Sequence, residues 1–279
     1  MPSRVIIAGI LLFWLTSVGL LFQREVLPRW RTESAPAYAI EITDEVGSPT
    51  AEWQMFDKDK LIGRGISKIR RAADRNFEMS QTFTFTDLEI NVVLAKMAVR
   101  RLESVYRVTP KGDLLGLEVK GKAGLKDAKG MVEFDAEMTG EVVDGWLTPK
   151  LKLFGSPVEL PGFGKIAIGE HGSILNPMHL VHRLPGLREG QHWRVPLLDP
   201  LKMFKANDLI GPALPFLDAE VVAAEMNWNE RIVDCLKVLY REPGKEVVAA
   251  TWVRRSDGLV LAQDAKQSGY DISIRRVPN

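Results

Sequence analysis

The chain has 279 residues, of which 46% are hydrophobic and 26% charged, and its 37 Lys and Arg against 36 Asp and Glu leave a formal charge of +1. This near-average composition excludes a disordered acidic tail, a collagen and a multi-span membrane protein. The balanced charge removes the global case for nucleic-acid binding, which needs an excess of cations to neutralise phosphates. A single cysteine, Cys235, excludes an intrachain disulfide framework and every multi-cysteine metal site.

An uncharged apolar segment at residues 5–22 stands out against this average. As a helix it would extend about 27 Å, close to the ~30 Å hydrocarbon core of a bilayer. The nearest small-residue pattern of the kind that signal peptidases cleave is Ala35-Pro36-Ala37, which lies too far beyond the segment. We therefore expect an uncleaved single-span signal anchor, with a cleaved signal peptide and a soluble helix as the alternatives.

The orientation of this anchor depends on the charges that flank it. Arg4 and the terminal amine precede the segment, and Arg24, Arg29 and Arg31 follow it. Counted literally, the positive-inside rule leaves the large domain in the cytoplasm. A very short N-terminus before a signal anchor usually stays inside, however. On that ground we expect a single-pass protein of the cytoplasmic membrane with its C-terminal domain on the extracytoplasmic, periplasmic side.

Most of the remaining chain alternates between apolar and polar residues, as at 77–86, 132–142 and 270–275. Alternation with a period of two indicates antiparallel strands with one buried and one solvated face. Asp-Gly pairs at 144–145 and 257–258 lie between such runs and predict hairpin turns.

Counting the runs gives roughly nine to eleven strands. They fall into two groups, 77–154 and 191–277, joined by an irregular Gly- and Pro-rich segment at 155–190 with a short helix near 177–184. The regular strand–helix alternation of a parallel sheet is absent. We therefore predict a mainly β fold with a few helices (α+β), in which an N-terminal transmembrane helix precedes a curved antiparallel sheet or half-barrel.

Two segments, 57–75 and 88–104, are compatible with either a helix or a strand. The first also carries a basic cluster, which is either a solvated face or a contact with anionic lipid. The cluster consists of Lys58, Lys60, Arg64, Lys68, Arg70, Arg71 and Arg75.

The predicted domain organisation has an anchor at 1–30, a linker at 31–56 and an antiparallel β-rich domain at 57–279, as one sheet or as two sub-sheets. Within this domain, residues 247–252 are apolar on both parities. Strands that are buried on both sides need a cover, which a helix, a second sheet or a cavity for an apolar ligand can supply.

The four histidines, His171, His179, His182 and His192, are the candidates for a metal site. On a helix, His179 and His182 would share one face, and Glu170 could add an oxygen ligand. Zinc needs three or four converging ligands, and no spaced zinc motif accompanies these residues. We therefore expect surface or turn histidines and assign no metal.

No other pattern carries recognisable chemistry. Cys235 lies in an apolar run, which is typical of a buried, inert thiol. The glycines at 161–164 do not form a phosphate loop, because Ile166 follows Lys165 where Ser or Thr is needed. A nucleophile elbow is absent as well. The sequence therefore assigns no catalytic residue, no cofactor-binding residue and no cofactor, and it leans towards a protein that is not an enzyme.

Two passages resemble uncharacterised bacterial envelope proteins. Residues 187–201 contain G-x-x-W-x-V-P followed by D-P, and residues 251–261 resemble a W-x-D-x-x-x-G-L-P hairpin. The second departs from the pattern, with Arg254 at the acidic position and Val260 in place of the proline. Those proteins resemble the periplasmic lipoprotein-carrier fold, a half-barrel with helices across its concave face. The resemblance covers the C-terminal third and implies an envelope protein that holds an acyl chain or a partner segment.

Together these features predict a membrane-anchored, non-enzymatic envelope protein, attached through residues 5–22, whose half-barrel binds a lipid or another apolar ligand. The first alternative is a structural or assembly component that binds another envelope protein through its outer face. The second is a divergent hydrolase or metalloenzyme that uses the segment from His171 to His192.

Overall fold

The structure, a computed structural model, describes residues 13–14, 16–20, 50–72, 74–92, 95–110, 113–127, 130–154, 165–167, 180–196, 216–267 and 270–278. The strands in these ranges form one antiparallel sheet. They are β1 (Ala51–Asp57), β2 (Lys60–Arg71), β3 (Phe77–Val92), β4 (Ala95–Val108), β5 (Leu114–Asp127), β6 (Gly130–Val143), β7 (Trp146–Phe154), β8 (Ile166–Ala167), β9 (His192–Pro196), β10 (Phe216–Trp228), β11 (Arg231–Arg241), β12 (Val247–Arg254), β13 (Val260–Gln267) and β14 (Tyr270–Arg276).

The strand order is β8-β7-β6-β5-β4-β3-β2-β1-β14-β13-β12-β11-β10-β9. Most neighbours in the sheet are therefore also neighbours in the sequence, joined by hairpins. The exception is the pair β1 and β14, in which Met55 lies opposite Ile274. This pairing joins the two halves of the chain into one 14-stranded sheet.

The alternating sequence gives the sheet an apolar inner face and a polar outer face. On β2, for example, Gly65, Ser67 and Ile69 are buried, whereas Arg64 and Lys68 are exposed. Residues at alternate positions of a strand point to opposite faces of the sheet. A strand conformation therefore buries the apolar side chains of these segments and leaves their charged side chains in solvent.

The inner face holds two hydrophobic clusters. One includes Trp53 and Phe83, and the other includes Met79 and Leu147. A buried polar row separates them, since Ser67 on β2 lies opposite Gln81 on β3, which lies opposite Ser104 on β4.

Two segments that the sequence left open between helix and strand are strands where the structure describes them. Residues 60–71 form β2, and residues 88–92 and 95–104 belong to β3 and β4. The short helix expected near 177–184 is wrong where the structure describes it. Residues 180–184 are extended, because the backbone of His182 and Leu184 bonds to the β12–β13 turn instead of to its own helix; residues 177–179 lie outside the described ranges.

The α+β class with an N-terminal transmembrane helix is also wrong. Helix is described at residues 13–14 and 16–20. Among the described residues, no helix has the length and apolar character needed to cross a membrane. The rest of segment 5–22 lies outside the described ranges, and the sheet starts at Ala51, within the expected linker. The predicted signal anchor and the single-pass localisation in the cytoplasmic membrane rested on that helix and are corrected with it.

Candidate functional site

An extended segment packs on the inner face of the sheet, and we call residues 180–191 the strap. Leu180, Val181 and Leu184 are buried in the same cluster as Trp53. The strap also runs along the start of β13, to which Arg183 is joined by a bridge at Leu259. Its hydrophobic side chains therefore fill part of the inner face that the strands alone would leave open.

The tip of the β12–β13 hairpin holds the strap through its backbone. Leu184 N donates to Gly258 O at 2.7 Å, and Val260 N donates to His182 O at 3.0 Å. Gly258 has a φ of +71°, and a Cβ there would lie 3.0 Å from Leu184 O and from Pro185. The turn therefore needs glycine both for its conformation and for the close approach of the strap.

An ion pair fixes the shape of this hairpin tip. The Arg254 guanidinium donates to both carboxylate oxygens of Asp257, at 2.8 and 2.7 Å. Asp257 Oδ1 also accepts from Leu259 N at 3.2 Å. The hydrogen bonds from Arg254 hold the pKa of Asp257 below its usual value. Arg254, which departs from the acidic residue of the sequence pattern, thus pairs with the turn that supports the strap.

A buried hydrogen-bond chain, which we call the latch, ties the strap to the sheet. Ser67 Oγ lies 2.6 Å from His182 Nε2, and Trp53 Nε1 donates to the same Oγ at 2.8 Å. Because an indole nitrogen can only donate, Ser67 must accept from Trp53 and can pass its own hydrogen to His182. The three side chains thus form hydrogen bonds to one another at a position shielded from solvent.

The surroundings of His182 keep its imidazole neutral. Burial, the nearby Arg276 and then Arg183 lower the pKa of His182 from 6.5 to about 4. Arg276 also donates to the His182 carbonyl at 3.4 Å, and its guanidinium lies 5.6 Å from the centre of the Trp53 ring. A neutral ring is the form that can accept a hydrogen from Ser67.

A serine 2.6 Å from a histidine nitrogen is also the arrangement by which hydrolases activate a nucleophile. Here Ser67 is 2% and His182 3% exposed, and Trp53 already donates to the serine oxygen. A substrate carbonyl has no path to that oxygen while the strap is in place. The latch therefore acts as a structural fastening of the strap.

Where the structure describes them, the other chemical candidates from the sequence do not gather around the latch. His192 is exposed on β9, and His171, His179 and Glu170 lie outside the described ranges. Within the part of the chain that the structure describes, no three His, Cys, Asp or Glu residues are grouped so that they could hold a metal. Cys235 is a buried free thiol, and burial raises its pKa, which favours the unreactive protonated form.

One row on the inner face of β4–β7 differs from the region under the strap, because its apolar side chains are partly exposed. Leu102, Gly121, Ala136 and Leu153 lie opposite one another on these four strands. All four are partly exposed, and the two smallest residues occupy the middle of the row. A Cβ at Gly121 would meet nothing closer than 3.9 Å. We call this row the inner groove.

The neighbouring row of the same face adds one polar group. Val119 and Leu151 are partly exposed beside the groove, and Met138 between them is buried. Ser104 lies opposite Val119 at the end of this row, and its side chain is hydrogen-bonded to Tyr106. Burial raises the pKa of Tyr106 above the usual value of a phenol. The groove is thus an apolar surface with hydroxyl groups at one side.

Comparisons with known proteins add little to this geometry. No family model matches the chain, and no curated protein matches it. Among solved structures, it is similar to a protein from Brucella abortus described as a beta-barrel-like protein of a domain of unknown function, DUF1849. The identity is 11% and the TM-score 0.40, over 82% of this chain and 95% of that one. The resemblance to the lipoprotein-carrier fold stays a prediction.

Proposed function

We propose that the protein is a non-enzymatic binder of an apolar chain, such as the acyl chain of a lipid, which lies in the inner groove. The observation that carries the proposal is the row formed by Leu102, Gly121, Ala136 and Leu153, which leaves apolar surface partly open to solvent. Open apolar surface in a concentrated row is a typical mark of a binding site.

The size and chemistry of the groove suit a single hydrocarbon chain. Its row crosses four strands, which corresponds to about 14 Å at the usual strand spacing. Gly121 and Ala136 provide a low floor, and Leu102 and Leu153 stand at its two ends. Each methylene group that such a surface removes from water contributes about 0.8 kcal/mol, so a chain of modest length binds without any charged contact.

The polar neighbours of the groove favour a ligand with a hydrogen-bonding end. Ser104 and Tyr106 bring hydroxyl groups to the side of the groove where the buried polar row begins. Hydroxyl groups can donate to an ester, amide or carboxyl oxygen. An amphipathic acyl compound therefore fits better than a pure hydrocarbon.

A substitution that fills the groove tests the proposal. Gly121→Leu adds a side chain into the groove, where a Cβ alone fits without a clash. The full-length protein would be purified without detergent, its lipids extracted and identified by mass spectrometry, and the binding of a fluorescent fatty acid titrated. We expect the wild type to bind the probe and Gly121→Leu to weaken binding at least tenfold.

The matched control is Lys122→Leu, which adds the same side chain at the next residue, on the exposed outer face. It should bind the probe as the wild type does. Circular dichroism and thermal melting would confirm that both variants fold. If the wild type binds no acyl probe and carries no extractable lipid, or if both leucine variants behave alike, the proposal is wrong.

A further inference from the structure

The outward side of β2 is basic along its whole length. Its sequence, KLIGRGISKIRR, contains no acidic residue, and Arg64, Ile66 and Lys68 follow one another on the exposed parity. Alternate residues of a strand point to the same side and lie about 6.6 Å apart. This part of the sequence-predicted basic cluster is therefore one straight line of side chains on the outer face.

Adjoining strands widen this line into a patch. Gln54 on β1 lies between Arg64 on one side and Arg275 of β14 on the other. Leu61 lies opposite Phe56 of β1, because the pairing of β1 with β2 shifts by one residue between Met55 and Phe56 and so brings Leu61 to the same face as Arg64. We call the following residues the β2 patch: Phe56, Leu61, Arg64, Ile66, Lys68 and Arg275.

The cations of the β2 patch differ from many others on the outer face. Arg64, Lys68 and Arg275 form no ion pair with a residue that the structure describes, whereas Arg70 pairs with Glu78 and Arg101 with Glu103. Arg275 instead lies 5.2 Å from the centre of the Phe56 ring. Their positive charge is therefore not neutralised within the described sheet.

Exposed apolar side chains lie among these cations. Ile66 is 50% exposed between Arg64 and Lys68, and Leu61 is 39% exposed. Glu52, opposite Ile66 on β1, is an acid at the border of the patch. A nucleic acid or an acidic peptide has no need of the apolar groups, whereas a lipid surface attracts the cations to its headgroups and takes the apolar side chains between them.

We propose that the β2 patch docks the protein on the surface of an anionic lipid bilayer. The line from Leu61 to Lys68 extends about 23 Å along one strand, which suits a flat surface. Arg64, Lys68 and Arg275 contact the negatively charged headgroups, and Leu61 and Ile66 enter the interfacial layer. This inference concerns the outer face and holds whether or not the inner groove binds an acyl chain.

Vesicle flotation of the full-length protein tests the proposal. The vesicles contain either phosphatidylcholine alone or phosphatidylcholine with an equal part of phosphatidylglycerol. We expect the wild type to bind the second kind more tightly and to lose that preference in high salt. Each basic residue near an anionic surface contributes roughly fivefold to binding, so the double variant Arg64→Glu/Lys68→Glu should lose at least 25-fold.

The matched control is Lys150→Glu/Lys152→Glu on β7, which reverses two exposed lysines of the same outer face and changes the net charge equally. This variant should keep the preference for phosphatidylglycerol. In addition, an environment-sensitive fluorophore at Ile66→Cys should shift to the blue on vesicle binding, and one at the exposed Thr148→Cys should not. Equal binding to both kinds of vesicle, or an equal loss in the two double variants, would overturn the proposal.

Discussion

Ser67 Oγ and His182 Nε2 lie 2.6 Å apart, although 115 positions separate the two residues in the sequence. The contact joins β2 to the strap and is shielded from solvent on both sides. In an open cleft the same pair could activate a nucleophile. Here the third partner is the donor Trp53 Nε1, so the geometry serves to satisfy buried polar atoms, and the measurable consequence is stability.

Removing the hydroxyl of Ser67 should destabilise the protein. Ser67→Ala leaves the buried indole N–H of Trp53 without its acceptor and His182 without its partner in the latch. A buried polar group that loses its partner costs about 1–3 kcal/mol, and urea unfolding would measure the loss. Ser80→Ala is the control, because Ser80 makes a 3.3 Å hydrogen bond to Lys68 O at an exposed position. Equal losses in the two variants would contradict the assignment of the latch.

Stability should depend on pH through His182. Its pKa is about 4 in the folded protein and about 6.5 when unfolded, so the unfolded chain takes up the proton first. The stability that the neutral His182 contributes is fully present above pH 6.5 and is lost as the pH falls from 6.5 to about 4. Below pH 4 this residue causes no further change in stability. Within this range the free energy of unfolding should fall by about 1.4 kcal/mol per pH unit and by about 3 kcal/mol in total.

Comparison with His182→Gln isolates this dependence. Unfolding by urea at several pH values between about 7 and 4.5 should give a steep fall in the wild type and a shallower one in the variant. His192→Gln, which replaces an exposed histidine on β9, should keep the steep fall. Parallel curves for the wild type and His182→Gln would show that another group controls stability in this range.

The local features of the fold could be predicted from the sequence because they depend on neighbouring residues. The alternation at 270–275 corresponds to β14, and the Asp-Gly pairs at 144–145 and 257–258 both lie in turns between adjacent strands, with Gly145 and Gly258 at positive φ. In contrast, the sequence left the segment 88–104 open between helix and strand, and the pairing of β3 with β4 decides for the strand.

The non-local features could not be predicted in this way. No residue pattern indicates that β1 pairs with β14, which joins the two ends of the sheet-forming chain. The latch depends on the same kind of contact, since Ser67 lies in an ordinary alternating strand and His182, which the sequence predicts as a surface or turn histidine, is buried beside it. The inner groove is a register effect as well, because Gly121 and Ala136 become neighbours through strand pairing alone.

Packing on the inner face should tolerate a methyl group at one glycine and not at another. A Cβ at Gly65 would lie 2.7 Å from the ring of Phe83, whereas at Gly121 the nearest atoms are 3.9 Å away. Overpacking of a buried site costs about 1–3 kcal/mol, so Gly65→Ala should lower the free energy of unfolding by this amount. Gly121→Ala should change it by less than about 0.5 kcal/mol. If urea unfolding shows that both variants lose the same free energy of unfolding, the hypothesis of open space at Gly121 is wrong.

The strap should come loose when the hairpin tip beneath it is altered. Gly258 and Gly244 have nearly the same backbone conformation, with φ of +71° and +72°, so an alanine at either site pays a similar strain of about 1 kcal/mol. At Gly244 the added Cβ meets nothing within 4 Å, whereas at Gly258 it meets Leu184 O and Pro185 at 3.0 Å. Gly258→Ala should therefore cost about 1–3 kcal/mol more than Gly244→Ala in urea unfolding.

Hydrogen exchange then locates the extra loss. The amide of Leu184 donates to Gly258 O, so its exchange should become faster in Gly258→Ala than in Gly244→Ala when both are compared at equal overall stability. Amides in the middle of β5, far from this turn in the strand order, should exchange alike in the two variants. Unchanged protection of Leu184 in Gly258→Ala would mean that the strap is held by its buried side chains and the latch, with no need of the hairpin tip.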